Sequence, residues 1–179
     1  MGSNPTLAAS LRHQGYPMSS TCTHIDAVGQ LAPPREVCET CIAIGGEWVN
    51  LRQCLTCAVT LCCDSSPNQH MSGHNRATAH PVMRSAMPDQ DWSWCFVDQA
   101  MLRETPGGWE TFDPFLEAGT SMVGEYLAAG GSPDPAPDFV NEHGFPLGDW
   151  FAFVREARAN GELEPRDAAR LEAIPGWRW

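Results

Sequence analysis

Cysteines and histidines spaced as metal ligands crowd the middle of this 179-residue chain. Between Cys22 and Asp98 they run Cys22-Thr-His24, Cys38-Glu-Thr-Cys41, Cys54-Leu-Thr-Cys57, Cys62-Cys63, His70, His74, His80 and Cys95-Phe-Val-Asp98. A CxxC turn offers two thiolates to one ion, and tetrahedral zinc then needs two more donors from elsewhere in the chain. Closing such a site ties together loops that a small core does not hold alone. A redox CxxC usually occurs singly, beside a βαβ pattern and without matching histidines. The spacing therefore predicts structural zinc.

The chain carries 22 acidic residues against 11 arginines and no lysine, a formal net charge of −11. That balance argues against a nucleic-acid partner. No apolar run is long enough for a membrane span, and the N-terminus lacks a charged-then-hydrophobic leader. The expected location is the cytoplasm, where eight cysteines favour metal over disulfides.

The expected fold class is α+β, a small zinc-stapled sheet-plus-helix domain followed by a small three-helix domain. Residues 1–21 read as a flexible N-terminal segment, 22–102 as the metal-binding domain, 103–108 as a linker through Pro106-Gly107-Gly108, and 109–179 as a helical domain. Trp48 to Leu51, His80 to Met83 and Trp92 to Val97 read as short strands. His70 and His74, four apart, would share one helix face. Trp92, Trp94 and Phe96 alternate and would share one sheet face. Beyond residue 109, near-helical spacing from Phe112 to Ala129 is weakened at Gly119. A short turn is expected at Phe139-Val140. A second helix starts at Leu147 and ends at Asn160-Gly161, and a third runs from Pro165 to Ala173. Trp150, Leu163, Leu171, Ile174 and Trp177 are expected to meet in one core.

The order Cys-x-His, CxxC, CxxC-x4-Cys, His-x3-His-x5-His, Trp-Cys-x-x-ligand, over roughly residues 20–102, resembles the UBP-type zinc finger. That module binds ubiquitin in some deubiquitinases and in one histone deacetylase. The resemblance implies three zinc ions with interleaved ligands. One takes Cys38, Cys41, Cys62 and His70. A second takes Cys54, Cys57, His74 and His80. A third takes Cys22, His24, Cys95 and Asp98, where the family commonly has a fourth cysteine. Cys63 is an alternative to Cys62, which is favoured by its spacing from Cys57; Cys63 is then a spare thiol. In the family a pocket receives a free C-terminal Gly-Gly tail, with aromatics around the glycines and an arginine on the carboxylate. The aromatic positions fall on Trp94 and Phe96. The arginine position falls on Asp64, a charge reversal. Arg52 and Arg84 are cations that would substitute. Asp64 itself would accept an amine, or orient a metal-bound histidine.

Residues 109–179 are similar to the helicase-associated domain. The matching pieces are Trp109, the run His143-Gly144-Phe145-Pro146-Leu147-Gly148-Asp149-Trp150, Arg155, Gly161-Glu162-Leu163, and Leu171-Glu-Ala-Ile-Pro-Gly-Trp177-Arg-Trp179. Arg155 and Arg158 lie about one turn apart and suit a small anionic contact, or a solvated helix face.

The leading expectation is a non-enzymatic, zinc-binding interaction module that reads a peptide or protein terminus, ubiquitin-like in the family, with a helical adaptor. The alternative is a nucleic-acid-associated accessory protein acting through the helical domain. An enzyme would have to use Cys63 with His13 or His143, and nothing in the spacing joins these.

Overall fold

The computed structural model describes residues 22–25, 28 and 31–179. The segment 1–21 expected to be flexible lies outside the described residues. Contacts divide the chain into two compact units, with the boundary between Thr111 and Phe112. Among the described residues no helix is long and apolar enough to cross a membrane.

In the first unit the order is α1 (Glu39–Ala43), β1 (Leu51–Cys54), β2 (Thr60–Cys62), α2 (His70–Thr78), β3 (Val82–Ser85), β4 (Trp92–Cys95), β5 (Ala100–Thr105) and β6 (Gly108–Phe112). The six strands form one sheet in the order β2-β1-β3-β4-β5-β6. All pairings from β2 through β5 are antiparallel, with Cys54 opposite Met83 and Met83 opposite Trp94. Side chains alternate across a strand, so Arg52, Ser85, Trp92 and Trp94 share one face while Gln53, Arg84 and Ser93 take the other. Cys38, Cys41, Leu51, Cys54, Leu61, Cys62 and Met71 make one core cluster. Cys22, Leu55, Val82, Cys95, Ala100 and Leu102 make a second.

The stretch read as a linker is instead a hairpin. Pro106-Gly107 turns the chain between β5 and β6, with Gly108 at φ +110°. Thr105 Oγ1 donates to the Gly108 carbonyl at 2.7 Å. Arg103 and Glu110 pair at 2.6 Å. A turn-rich sequence marks a tight hairpin as readily as a flexible joint. Trp48 to Asn50 also fall outside a strand, because β1 begins three residues later than expected, at Leu51.

The second unit holds α3 (Pro114–Ala128), α4 (Leu147–Ala159) and α5 (Pro165–Glu172). Asp113 caps α3, its carboxylate accepting from Leu116 N at 2.8 Å, with proline in the first turn. Phe115, Leu116, Val123, Phe145, Leu147, Trp150, Phe151, Val154 and Leu171 form the core, with Leu163, Ile174 and Trp177 packed against it. Phe139-Val140 has no helical turn. Gly119, a weak spot by propensity, has a packing reason. A Cβ there would sit 2.1 Å from Trp150 Nε1, so only glycine lets the indole lie against α3.

Candidate metal centre

Among the described residues three groups of four donors form, and within each the ligand atoms all lie within 4.8 Å of one another. They are Cys38, Cys41, Cys62 and His70; Cys54, Cys57, His74 and His80; and Cys22, His24, Cys95 and Asp98. The fold interleaves them. The first group joins α1, β2 and the start of α2. The second joins the end of β1 and its following turn to α2 and to His80 just beyond it. The third joins Cys22 and His24 to the end of β4 and the turn after it. His70 and His74 lie one turn apart on α2 and serve different groups.

The donor distances test whether zinc fits. Bond lengths of about 2.3 Å to sulfur and about 2.0 Å to nitrogen give tetrahedral edges of about 3.8 Å between sulfurs, about 3.5 Å between sulfur and nitrogen, and about 3.3 Å between nitrogens. In the first group His70 Nδ1 lies 3.4, 3.3 and 3.4 Å from the Cys38, Cys41 and Cys62 sulfurs, and the Cys41 and Cys62 sulfurs are 3.7 Å apart. In the second, Cys54 Sγ to His80 Nδ1 is 3.5 Å, Cys57 Sγ to His74 Nε2 is 3.4 Å, and the two imidazole nitrogens are 3.2 Å apart. In the third, Cys95 Sγ lies 3.6 Å from His24 Nδ1 and 3.5 Å from Asp98 Oδ2, with 2.9 Å between those last two atoms. The edges match tetrahedral zinc closely in the first two groups. The third is tightened along its carboxylate–imidazole edge. The residues fit zinc, and zinc bound there would hold the loops together without redox change.

The backbone prepares the thiolates. The amides of Thr56, His70 and Asp98 donate to the sulfurs of Cys54, Cys62 and Cys95 at 3.4, 3.3 and 3.4 Å. Among the described residues, five other than glycine have positive φ: Ala58, Gln69, Ala79, Asp89 and Gln99. All but Asp89 are next to a ligand (Cys57, His70, His80 and Asp98). Left-handed backbone in such residues is strained and persists where the surroundings impose it; here the ligand geometry does so.

The protonation pattern has physical causes. Burial pushes the Cys22 thiol up to about 12, with Asp98 adding to the shift. Burial pushes the Cys41 thiol up to about 11. Burial also opposes the Cys38 thiolate, yet the Cys41 amide and the neighbouring Cys41 and Cys62 outweigh it and hold Cys38 below the usual thiol value. Hydrogen bonds from Cys22 and then His24 hold Asp98 below the ordinary carboxylate range. Burial, then His80, lowers His74, which keeps it neutral as a ligand must be. Metal binding therefore displaces protons from Cys22 and Cys41, and affinity falls as pH falls.

Cys63 stays out of every group. It is 5% exposed, and its sulfur lies 3.4 Å from Ser66 Oγ. Asp64 does not orient a histidine. Its Oδ2 accepts from Ser72 Oγ at 2.7 Å, and its carbonyl accepts from Gln69 Nε2 at 3.0 Å. The loop from Asp64 to Gln69 folds back on α2, so Ser72 reaches the carboxylate first. A pocket of about 200 Å³ is lined by Arg52, Cys63, Asp64, Ser65, Met71, Ser72, Met83 and Trp92. A groove of about 1000 Å³ on the same unit includes Trp48, Met87, Trp92 and Trp109. Trp94 and Phe96 line neither; Phe96 packs on the Met71 cluster. Trp92 lines both, a role that alternation alone does not reveal. Arg84 lines the larger groove, and its Nε donates to Gln53 Oε1 at 2.8 Å.

Residues 38–106 match the family described as Zn-finger in ubiquitin-hydrolases and other protein. Together with the three Cys/His groups, this match supports a zinc-binding module of the UBP type. Such modules bind zinc and are not catalytic by themselves. Among solved structures, the solution NMR structure of protein RPA1320 from Rhodopseudomonas palustris is 40% identical, covering 48% of this chain and 84% of that one, with a TM-score of 0.44. No curated protein matches the chain.

Proposed function

We propose that residues 22–111 form a non-enzymatic protein-interaction module, stapled by three zinc ions, that takes the terminus of a peptide or protein. The observation that carries this reading is closure: each group has four protein donors, and catalytic zinc keeps a position open for water or substrate. The tryptophan-lined groove and the small pocket beside the staples support a surface for an extended chain, since buried aromatics dominate peptide recognition.

We extend the proposal to residues 112–179 as a three-helix adaptor of the helicase-associated kind, docking a protein. Three of its five arginines are engaged within the unit. Arg155 pairs with Asp134 at 2.7 Å and donates to the Pro133 carbonyl at 2.7 Å. Arg158 pairs with Glu172 at 3.0 Å and stacks on Trp179 at 4.0 Å. Arg170 pairs with Glu117 at 2.6 Å. That engagement, with the acidic charge of the segment, favours a protein over a nucleic acid.

The test is calorimetry on zinc-loaded protein with Gly-Gly-ending peptides, each as free acid and as amide. Binding of the acid alone is the expected result. Equal binding, or none, would overturn the reading of a terminus.

A further inference from the structure

The three donor groups differ in how far water reaches them. Of their seven cysteines, Cys22, Cys38, Cys41, Cys54, Cys62 and Cys95 are buried and Cys57 is exposed. Cys57 stands in the turn that follows β1, between exposed Thr56 and half-buried Ala58, and Ala58 takes φ +64° there. Its sulfur faces His74 Nε2 at 3.4 Å. Cys54, the other half of the same CxxC pair, is 1% exposed, and its sulfur accepts from the Thr56 amide at 3.4 Å. Oxidation of a cysteine needs thiolate character and access. Zinc ligation keeps a cysteine as thiolate at neutral pH, so all seven meet the first condition and Cys57 alone meets the second. Cys63 belongs to no group and is 5% exposed, which keeps it from an oxidant in solvent. A reversible change also needs a resolving thiol close by. Cys54 supplies it, because the ligand atoms of the group all lie within 4.8 Å of one another.

We propose that Cys57 is the oxidation site of this chain, through which hydrogen peroxide opens the second metal group and leaves the other two closed. The Cys57 thiolate attacks one peroxide oxygen. An S–O bond forms, the O–O bond breaks, and the departing hydroxide takes a proton from solvent and becomes water. The Cys54 thiolate then attacks the sulfenic acid on Cys57. An S–S bond forms, the S–O bond breaks, and a second hydroxide leaves and is protonated to water. Two thiolates are thereby oxidised to one disulfide, and one peroxide is reduced to two waters with two protons drawn from solvent. His74 and His80 are then the donors left in that group, too few for a structural zinc site. Of its two anchors, α2 keeps His70 and loses His74. A dithiol reductant reverses the change. This rests on the reading that zinc fills the groups, and it names which of them responds.

The experiment adds hydrogen peroxide to the full chain, loaded with zinc under reductant and then freed of it. Native mass spectrometry counts zinc, and peptide mapping after alkylation in denaturant locates each oxidised sulfur. The first product should be a Cys54–Cys57 disulfide, with the count falling from three zinc ions to two. Dithiothreitol and added zinc should restore the third. Cys57→His keeps four donors, since zinc takes imidazole as well as thiolate, and removes the exposed sulfur. Its zinc loss to peroxide should be slower by about tenfold or more, because the thiolates that remain are buried. First oxidation at Cys63, or at a cysteine of the first or third group, would overturn the proposal while the zinc staples stand. So would loss of all three ions in one step, or no disulfide before the chain unfolds. A chain that holds no zinc in the second group before peroxide is added takes both readings down. If Cys57→His does not load three ions, the wild-type peptide map decides.

Discussion

Single atoms decide several of the choices made in this chain. Gly119 and Gly124 both lie in α3, yet their surroundings differ sharply. A Cβ at 119 would enter the Trp150 indole, whereas one at 124 would meet only Ile174 Cγ2 at 3.9 Å. Gly119→Ala should therefore destabilise the helical unit by about 1–3 kcal/mol, overpacking outweighing the gain in helix propensity. Gly124→Ala should stabilise it by about 0.5–1 kcal/mol. Urea unfolding of both variants checks the pair, and shifts of the same sign would contradict the packing described. Asp113 makes a pH prediction. Burial raises its carboxyl pKa in the folded state, against the pull of the Leu116 amide. The folded chain then holds this proton more tightly than the unfolded chain does, so stability falls as pH rises from the ordinary carboxylate value through the raised one. Asp113→Asn keeps a side-chain cap and removes the titration. Its unfolding free energy should lose that downward step and match or exceed the wild type at neutral pH; a steeper loss in the variant would show that the charge itself is favourable.

Among the elements, α2 is one that cannot stand by itself. It has nine residues, Gln69 before it and Ala79 after it are both left-handed, and no side chain caps its start. An isolated helix needs roughly 12–15 residues to be even marginal in water. What fixes α2 is the pair of donors it sends to two metal groups. Chelation should therefore melt α2 and the sheet together, while α3, α4 and α5, with their own core, keep most of the far-UV helical signal. Circular dichroism during chelator titration reads this, and loss of all helical signal in one step would contradict it. The donors were legible in the sequence because ligand spacing is a local signal. So were the three C-terminal helices, through apolar period, Pro165 at the start of one and Gly161 at the end of another. The β5–β6 hairpin was not, since Pro106-Gly107-Gly108 signals a turn without saying what flanks it. Nor was the place of Arg52 beneath Trp92. That contact depends on β1 pairing with β3, and β3 with β4, in one register, which no local pattern records.

For the whole molecule, the proposed three zinc ions imply that seven of the eight cysteines are bound thiolates and that Cys63 alone remains a thiol. The formal charge of −11 is then changed little, because three divalent cations nearly offset seven thiolates in total. The net acidic charge that disfavours polyanions is therefore kept. The direct measurement is native mass spectrometry of the chain purified without chelator, beside its Asp98→Ala variant. Closure by four protein donors in each group predicts three zinc ions on the wild-type chain and two on the variant. Two on both, or cysteines paired as disulfides, would show that the third group is not a metal site or that the staples are not zinc.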